Sequence, residues 1–143
     1  MKLVSNGIEQ RLDELNERLA RLNALRTRKK EEFDADPFLR DIVERNLEVA
    51  AQCVIDICHR IISMEKSRKP ADSNESILLA GELGILAPEL ATKLAPIAGF
   101  RNVLVHEYIA IDWNIVYRML DQLEDLQSFY HSVRKWLLAK TGP

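Results

Sequence analysis

The stretch Glu48-Val-Ala-Ala-Gln-Cys-Val-Ile-Asp-Ile-Cys-His-Arg-Ile-Ile62 repeats its apolar residues at steps of three and four. That period belongs to a helix and not to a strand. Followed towards the N-terminus it takes in Leu39, Ile42 and Val43, which join Ala50, Cys53, Val54, Ile57 and Ile61 in one stripe. Asn46 interrupts the stripe, while Asp56, His59 and Arg60 lie further round. Asp36-Pro37 supplies the start, because an Asp side chain can accept from the first free backbone N–H groups and Pro fits the first helical position. The helix is predicted to end near Glu65.

The same period continues outward on both sides. Ile8, Leu12, Leu15, Leu19, Leu22 and Leu25 form a heptad-like stripe, which predicts a first helix over residues 7–32. A polar loop over 66–74 leads to a short helix over 75–83, with Gly81 and Gly84 marking its end. Another helix is predicted from Pro88 to about Tyr108, with a kink or restart at Pro96 and Gly99. Asp112 reads as the N-cap of a last helix running to about Lys140, with Val116, Leu120, Leu123, Leu126, Tyr130, Val133 and Leu137 as its stripe. The expected fold is all-α, a mostly antiparallel bundle of four to five helices.

A length of 143 residues fits one domain, and 47% hydrophobic residues exclude general disorder. A net charge of −2 argues against a chain that coats nucleic acid or membrane with basic charge, but it leaves room for a local positive cleft. No apolar run is long enough to span a membrane, and residues 1–19 turn charged before a signal sequence could form. The expected location is therefore the cytoplasm. Cys53 and Cys58 are five apart, about 140° round a helix, so they read as two free core thiols. The common zinc, P-loop and dinucleotide motifs are absent, and neither a metal nor a cofactor is expected.

The chemistry concentrates in Gly99-Phe-Arg-Asn-Val-Leu-Val-His-Glu-Tyr108. On a wheel centred on Arg101, Leu90, Leu94, Ile97, Leu104, Val105 and Tyr108 fall within about 60°. Arg101 thus sits inside an apolar stripe, where a guanidinium is rarely found unless paired. Asn102 and His106 are four apart and share a neighbouring face. Arg offers a planar fork for phosphate, His moves protons near neutral pH, and Asn can orient a hydroxyl or a phosphate oxygen. Together these groups suit phosphodiester chemistry. The structural alternative is an Arg101 paired with Asp56 or Glu107.

The string Arg101-Asn102-Val103-Leu104-Val105-His106 resembles the signature of the HEPN superfamily, an Arg followed at a short interval by a His. Glu107-Tyr108 extends it to the Arg-x4-His-x-Tyr form of HepT-like toxins. Glu48 to Ile62 resembles the family's long second helix, and Leu79-Ala-Gly-Glu-Leu-Gly-Ile-Leu86 resembles a later block. The likeness covers about residues 36–130 of a chain read as a single HEPN-like domain, 1–143. It implies an all-α homodimer whose motif helices line a shared cleft, with metal-independent endoribonuclease activity and a toxin role. The implied partners are RNA and a cognate minimal nucleotidyltransferase antitoxin, which transfers AMP to the motif Tyr, here Tyr108. On this resemblance His106 is the general base or acid, Arg101 the phosphate clamp and Asn102 the positioning group. A non-catalytic partner or nucleotide-binding subunit of such a nucleotidyltransferase stays open as the alternative, as does a plain dimeric scaffold in which Arg101 is a structural ion pair.

Overall fold

The computed structural model describes residues 7–106 and 110–141, and their regular structure is entirely helical. The elements are α1 (Ile8–Leu25), α2 (Lys30–Ala35), α3 (Pro37–Met64), α4 (Ser73–Glu82), α5 (Pro88–Leu94), α6 (Ile97–His106), α7 (Trp113–Asp121) and α8 (Leu123–Thr141). The expected all-α bundle is what forms. Among the described residues, no helix is long and apolar enough to cross a membrane.

Central to the bundle is α3. The Asp36 carboxylate accepts from the backbone N–H groups of Phe38 and Leu39 at 3.0 and 3.3 Å, with Pro37 opening the helix as its sequence predicts. Leu47, Ala51, Ile55, Cys58 and Ile62 are buried in addition to most of the predicted stripe, because neighbours cover α3 on several sides. Ile42 is the correction. It is 49% exposed and lies one turn from Phe38, which is 80% exposed.

Ion pairs and hydrogen bonds fix the helix directions. Arg11 lies 3.6 Å from Asp56, and Arg18 donates to Asn46 across 3.3 Å, so α1 and α3 run antiparallel. Arg26 pairs with Glu124 at 2.5 Å and Arg134 with Asp13 at 3.2 Å, so α1 and α8 are antiparallel too. Trp113 donates to Glu44 and Trp136 to Glu65, at 2.7 and 3.1 Å, which sets α3 parallel to α7 and α8. Few capping contacts hold α1. Its five buried residues, Ile8, Leu12, Leu15, Leu19 and Leu22, carry it instead, each fully buried aliphatic contributing roughly 1.5–3 kcal/mol.

The first helix stops at Leu25 rather than near residue 32. Arg26-Thr27-Arg28-Lys29 offers no apolar group to continue the buried face, and Leu25 is itself only half-buried. After this break, α2 brings Phe33 into the core against Trp113 and Tyr117, with ring centroids 5.7 and 6.0 Å away.

The predicted last helix also divides, at Gln122. Leu120, Leu123, Leu126 and Phe129 follow at three successive steps of three, which on a straight helix would turn the first and last of them to opposite faces. The break between α7 and α8 allows all four to be buried. Phe129 takes the core position, and Tyr130 of the predicted stripe is half-buried.

The helix expected from Pro88 restarts at Pro96, giving α5 and α6. Close packing of α4 on α5 depends on Gly81, where an added Cβ would come within 2.7 Å of the Ala91 Cβ. With Ile97, Phe100 and Leu104 buried, α6 lies against α3 and carries the candidate site.

Candidate functional site

Packing of its apolar face sets the orientation of α6, and three polar residues follow from it. Pro96, Gly99, Asn102 and His106 form an exposed line at steps of three, three and four, which is one face of a helix. Asn102 and His106 are therefore presented to solvent one turn apart.

Arg101 is different. It is half-buried, and its Nε is wholly buried, with no hydrogen-bond partner among the described residues. Asp56, the carboxylate suggested for it by sequence, is engaged elsewhere, 3.6 Å from Arg11 and accepting from Gln52 at 2.8 Å. Glu107 and Tyr108 lie outside the described residues. An unsatisfied buried donor costs about 1–3 kcal/mol, and more when charged, so its retention calls for a reason beyond packing. Because the helix restarts at Pro96, Leu90 and Leu94 reach the core as part of α5. Arg101 is flanked on its own helix by Ile97, Leu104 and Val105.

Other groups have ordinary roles. Of the basic residues that follow α1, Arg26 is tied to Glu124 and Arg28 to Glu32, and Lys30 stands over the Tyr117 ring. Asn46 is buried and donates to the Ile42 carbonyl at 2.7 Å while accepting from Arg18. Cys53 and Cys58 are free and buried, and burial pushes their thiols up to about 11 and about 12.

One feature escaped the sequence. A groove of about 440 Å³ lies between α6 and α7–α8, with Phe100 and Met119 in its wall and Lys93 and Arg118 among its charged groups. Its residues are drawn from position 93 to position 126, so no local motif could have revealed it.

The family model described as "Ribonuclease HepT-like" matches residues 8–133, a span that contains the whole Arg101–His106 segment. The chain belongs to the HepT-like ribonuclease family. Among its HepT-like relatives, the tRNA nuclease HepT of Aphanizomenon flos-aquae is 38% identical over 98 residues, covering 68% of this chain and 67% of that protein. The mRNA nuclease HepT of Shewanella oneidensis is 28% identical over 104 residues, covering 72% and 78%. Among solved structures, YutE from Bacillus subtilis, described as a cytosolic protein of unknown function, superposes with a TM-score of 0.82 at 19% identity over 95% of this chain and 92% of its own. The tri-AMPylated Shewanella oneidensis HEPN toxin in complex with MNT antitoxin gives 0.79 at 24% identity, over 90% and 96%. At these identities the structural likenesses establish the HepT-like fold.

Proposed function

We propose that this chain is an endoribonuclease toxin that cleaves RNA without a metal ion, using Arg101, Asn102 and His106. The observation that carries this reading is the buried Nε of Arg101, without a partner among the described residues, next to an exposed Asn102–His106 pair within a HepT-like ribonuclease chain. A cation without a carboxylate among the described residues is available to an anionic substrate.

The ribose 2′-OH attacks the adjacent phosphorus, a new P–O2′ bond forms, and the P–O5′ bond breaks. The products are a 2′,3′-cyclic phosphate and a 5′-hydroxyl end. His106 takes the 2′-OH proton or protonates the leaving 5′-oxygen, Arg101 stabilises charge on the non-bridging oxygens, and Asn102 positions the phosphate or the 2′-OH. A dimer supplies two copies of His106, one as base and its mate as acid. The need for a 2′-OH spares DNA.

We further propose that a minimal nucleotidyltransferase partner silences the chain by adding AMP to Tyr108. The added phosphate brings negative charge and bulk next to the place where RNA phosphate must sit. The AMPylated, antitoxin-bound state of the Shewanella toxin is consistent with such a partner.

His106→Ala tests the catalytic reading. It should abolish cleavage of RNA while circular dichroism stays unchanged, and persisting cleavage would remove the assignment. Incubation with the partner nucleotidyltransferase and ATP should add AMP mass that Tyr108→Phe prevents.

A further inference from the structure

The exposed line of Gly99, Asn102 and His106 on α6, with Pro96 just before it, runs into the groove beside α7–α8, which Pro96 and Gly99 help to line. Gly99 and His106 are seven residues apart, which brings them to nearly the same angle on the helix and separates them by roughly 10 Å along its axis. The groove therefore opens about two turns from His106 along that side of α6, and Arg101, Asn102 and His106 are not among its lining residues.

Gly99 is unexplained by the fold. A glycine inside a helix weakens it relative to alanine. Here no neighbouring atom lies within 4 Å of where its Cβ would be, so no packing contact requires the missing side chain. Such a position is suited to something that approaches the backbone from outside.

The charges of the groove point to the kind of visitor. Lys93 and Arg118 are exposed, and among the described residues neither makes a hydrogen bond or an ion pair. Comparably exposed arginines of this chain, Arg21, Arg28, Arg45 and Arg68, each pair with a carboxylate. Besides the two free cations, the groove's lining includes the apolar Phe100, Val103 and Met119, with Gln122 and Asp125 adding polar groups. A volume of about 440 Å³ is in the range of a small-molecule site.

We infer that this groove is a nucleotide subsite, which seats one base of the RNA against Phe100 and Met119 and holds a flanking phosphate on Arg118 and Lys93. The inference rests on the ribonuclease reading above. An apolar wall takes the face of a base, the cations take its phosphate, and Gln122 and Asp125 can meet the base edge. RNA held there leads along α6 to His106.

Gly99→Leu is the decisive variant, since it removes a helix-weakening glycine and adds a side chain to the groove's lining at a position where the Cβ meets no neighbouring atom within 4 Å. It should raise the Kd of a fluorescein-labelled single-stranded RNA about tenfold by anisotropy, measured in the His106→Ala background so that the probe stays intact. Arg118→Glu should do the same. In the otherwise native protein both variants should lower kcat/KM for that RNA about tenfold and leave cleavage of the dinucleotide UpA, too short to reach the groove, unchanged. An unchanged Kd overturns the subsite whether or not the protein cleaves RNA. Equal loss on UpA and on the longer RNA also overturns it, because the effect is then a disturbance of α6. A shift from dimer to monomer on sedimentation with Gly99→Leu would assign the groove to a second copy of the chain and overturn it as well. If the native protein cleaves no RNA but the Kd still rises, the ribonuclease reading fails and the subsite stands.

Discussion

The Tyr117 hydroxyl donates to the Asp34 carboxylate across 2.9 Å, joining α2 to α7 over the Phe33–Trp113–Tyr117 ring cluster. Burial and the bond to Asp34 raise the Tyr117 hydroxyl to about 12 from its ordinary 10.0. Because the folded chain holds this proton more tightly than the unfolded one, the contribution is complete below pH 10 and is lost as pH rises towards 12. Tyr117→Phe should cost about 1 kcal/mol near neutrality, a drop of a few degrees in melting temperature. The gap between wild type and variant should close in melts between pH 10 and 12. A gap that stays constant across that window would show that Tyr117 is not held by Asp34.

The two thiols should be silent in the native protein. Burial holds Cys53 at about 11 and Cys58 at about 12, which leaves almost no thiolate at pH 8. Ellman's reagent should therefore report no fast-reacting thiol until urea is added, and two per chain afterwards. Fast labelling of either in buffer would mean that α3 opens locally.

Asn46 has the contacts of a structural residue. Its amide bonds the Ile42 carbonyl and the Arg18 guanidinium, and Arg18 keeps a second partner in Glu14 at 2.7 Å. Asn46→Ala should lower stability by about 1–2 kcal/mol through lost hydrogen bonds and a small void. Its kcat/KM for RNA should stay within about twofold of wild type at a temperature where both are folded. A loss of activity without a loss of stability would assign Asn46 a role in catalysis instead.

The bundle was legible because burial imposes a period. The stripes of α1 and α3 and the caps at Asp36 and Asp112 could all be read locally, and the Asp112 side chain does accept from the Asn114 N–H at 3.0 Å. Two breaks were not foreseen, although their causes were present. Four basic and polar residues after Leu25 leave the first helix nothing to bury, and the run of threes from Leu120 to Phe129 cannot keep one face on a straight helix. Phe33 and Phe129 escaped because each enters the core only after such a break. At the site, the residue types and the resemblance carried the reading of Arg101, Asn102 and His106. That Arg101 lacks Asp56 as a partner could not be read in advance, since it depends on Arg11 approaching from another helix.

Arg101 separates structure from chemistry most sharply. A guanidinium whose Nε is buried and unpartnered gives up hydration for nothing within the described residues, so its removal should not harm the fold. Arg101→Met keeps the aliphatic stem and deletes the charge. Its melting temperature should equal or exceed that of wild type, while RNA cleavage falls at least about a hundredfold, the scale of losing one transition-state donor. The scaffold alternative requires the reverse, a folded-state ion pair whose loss lowers the melt by many degrees. Thermal melts and cleavage rates on the same preparation decide between them. A destabilised Arg101→Met that still cleaves RNA would mean that the guanidinium serves the fold and not the phosphate.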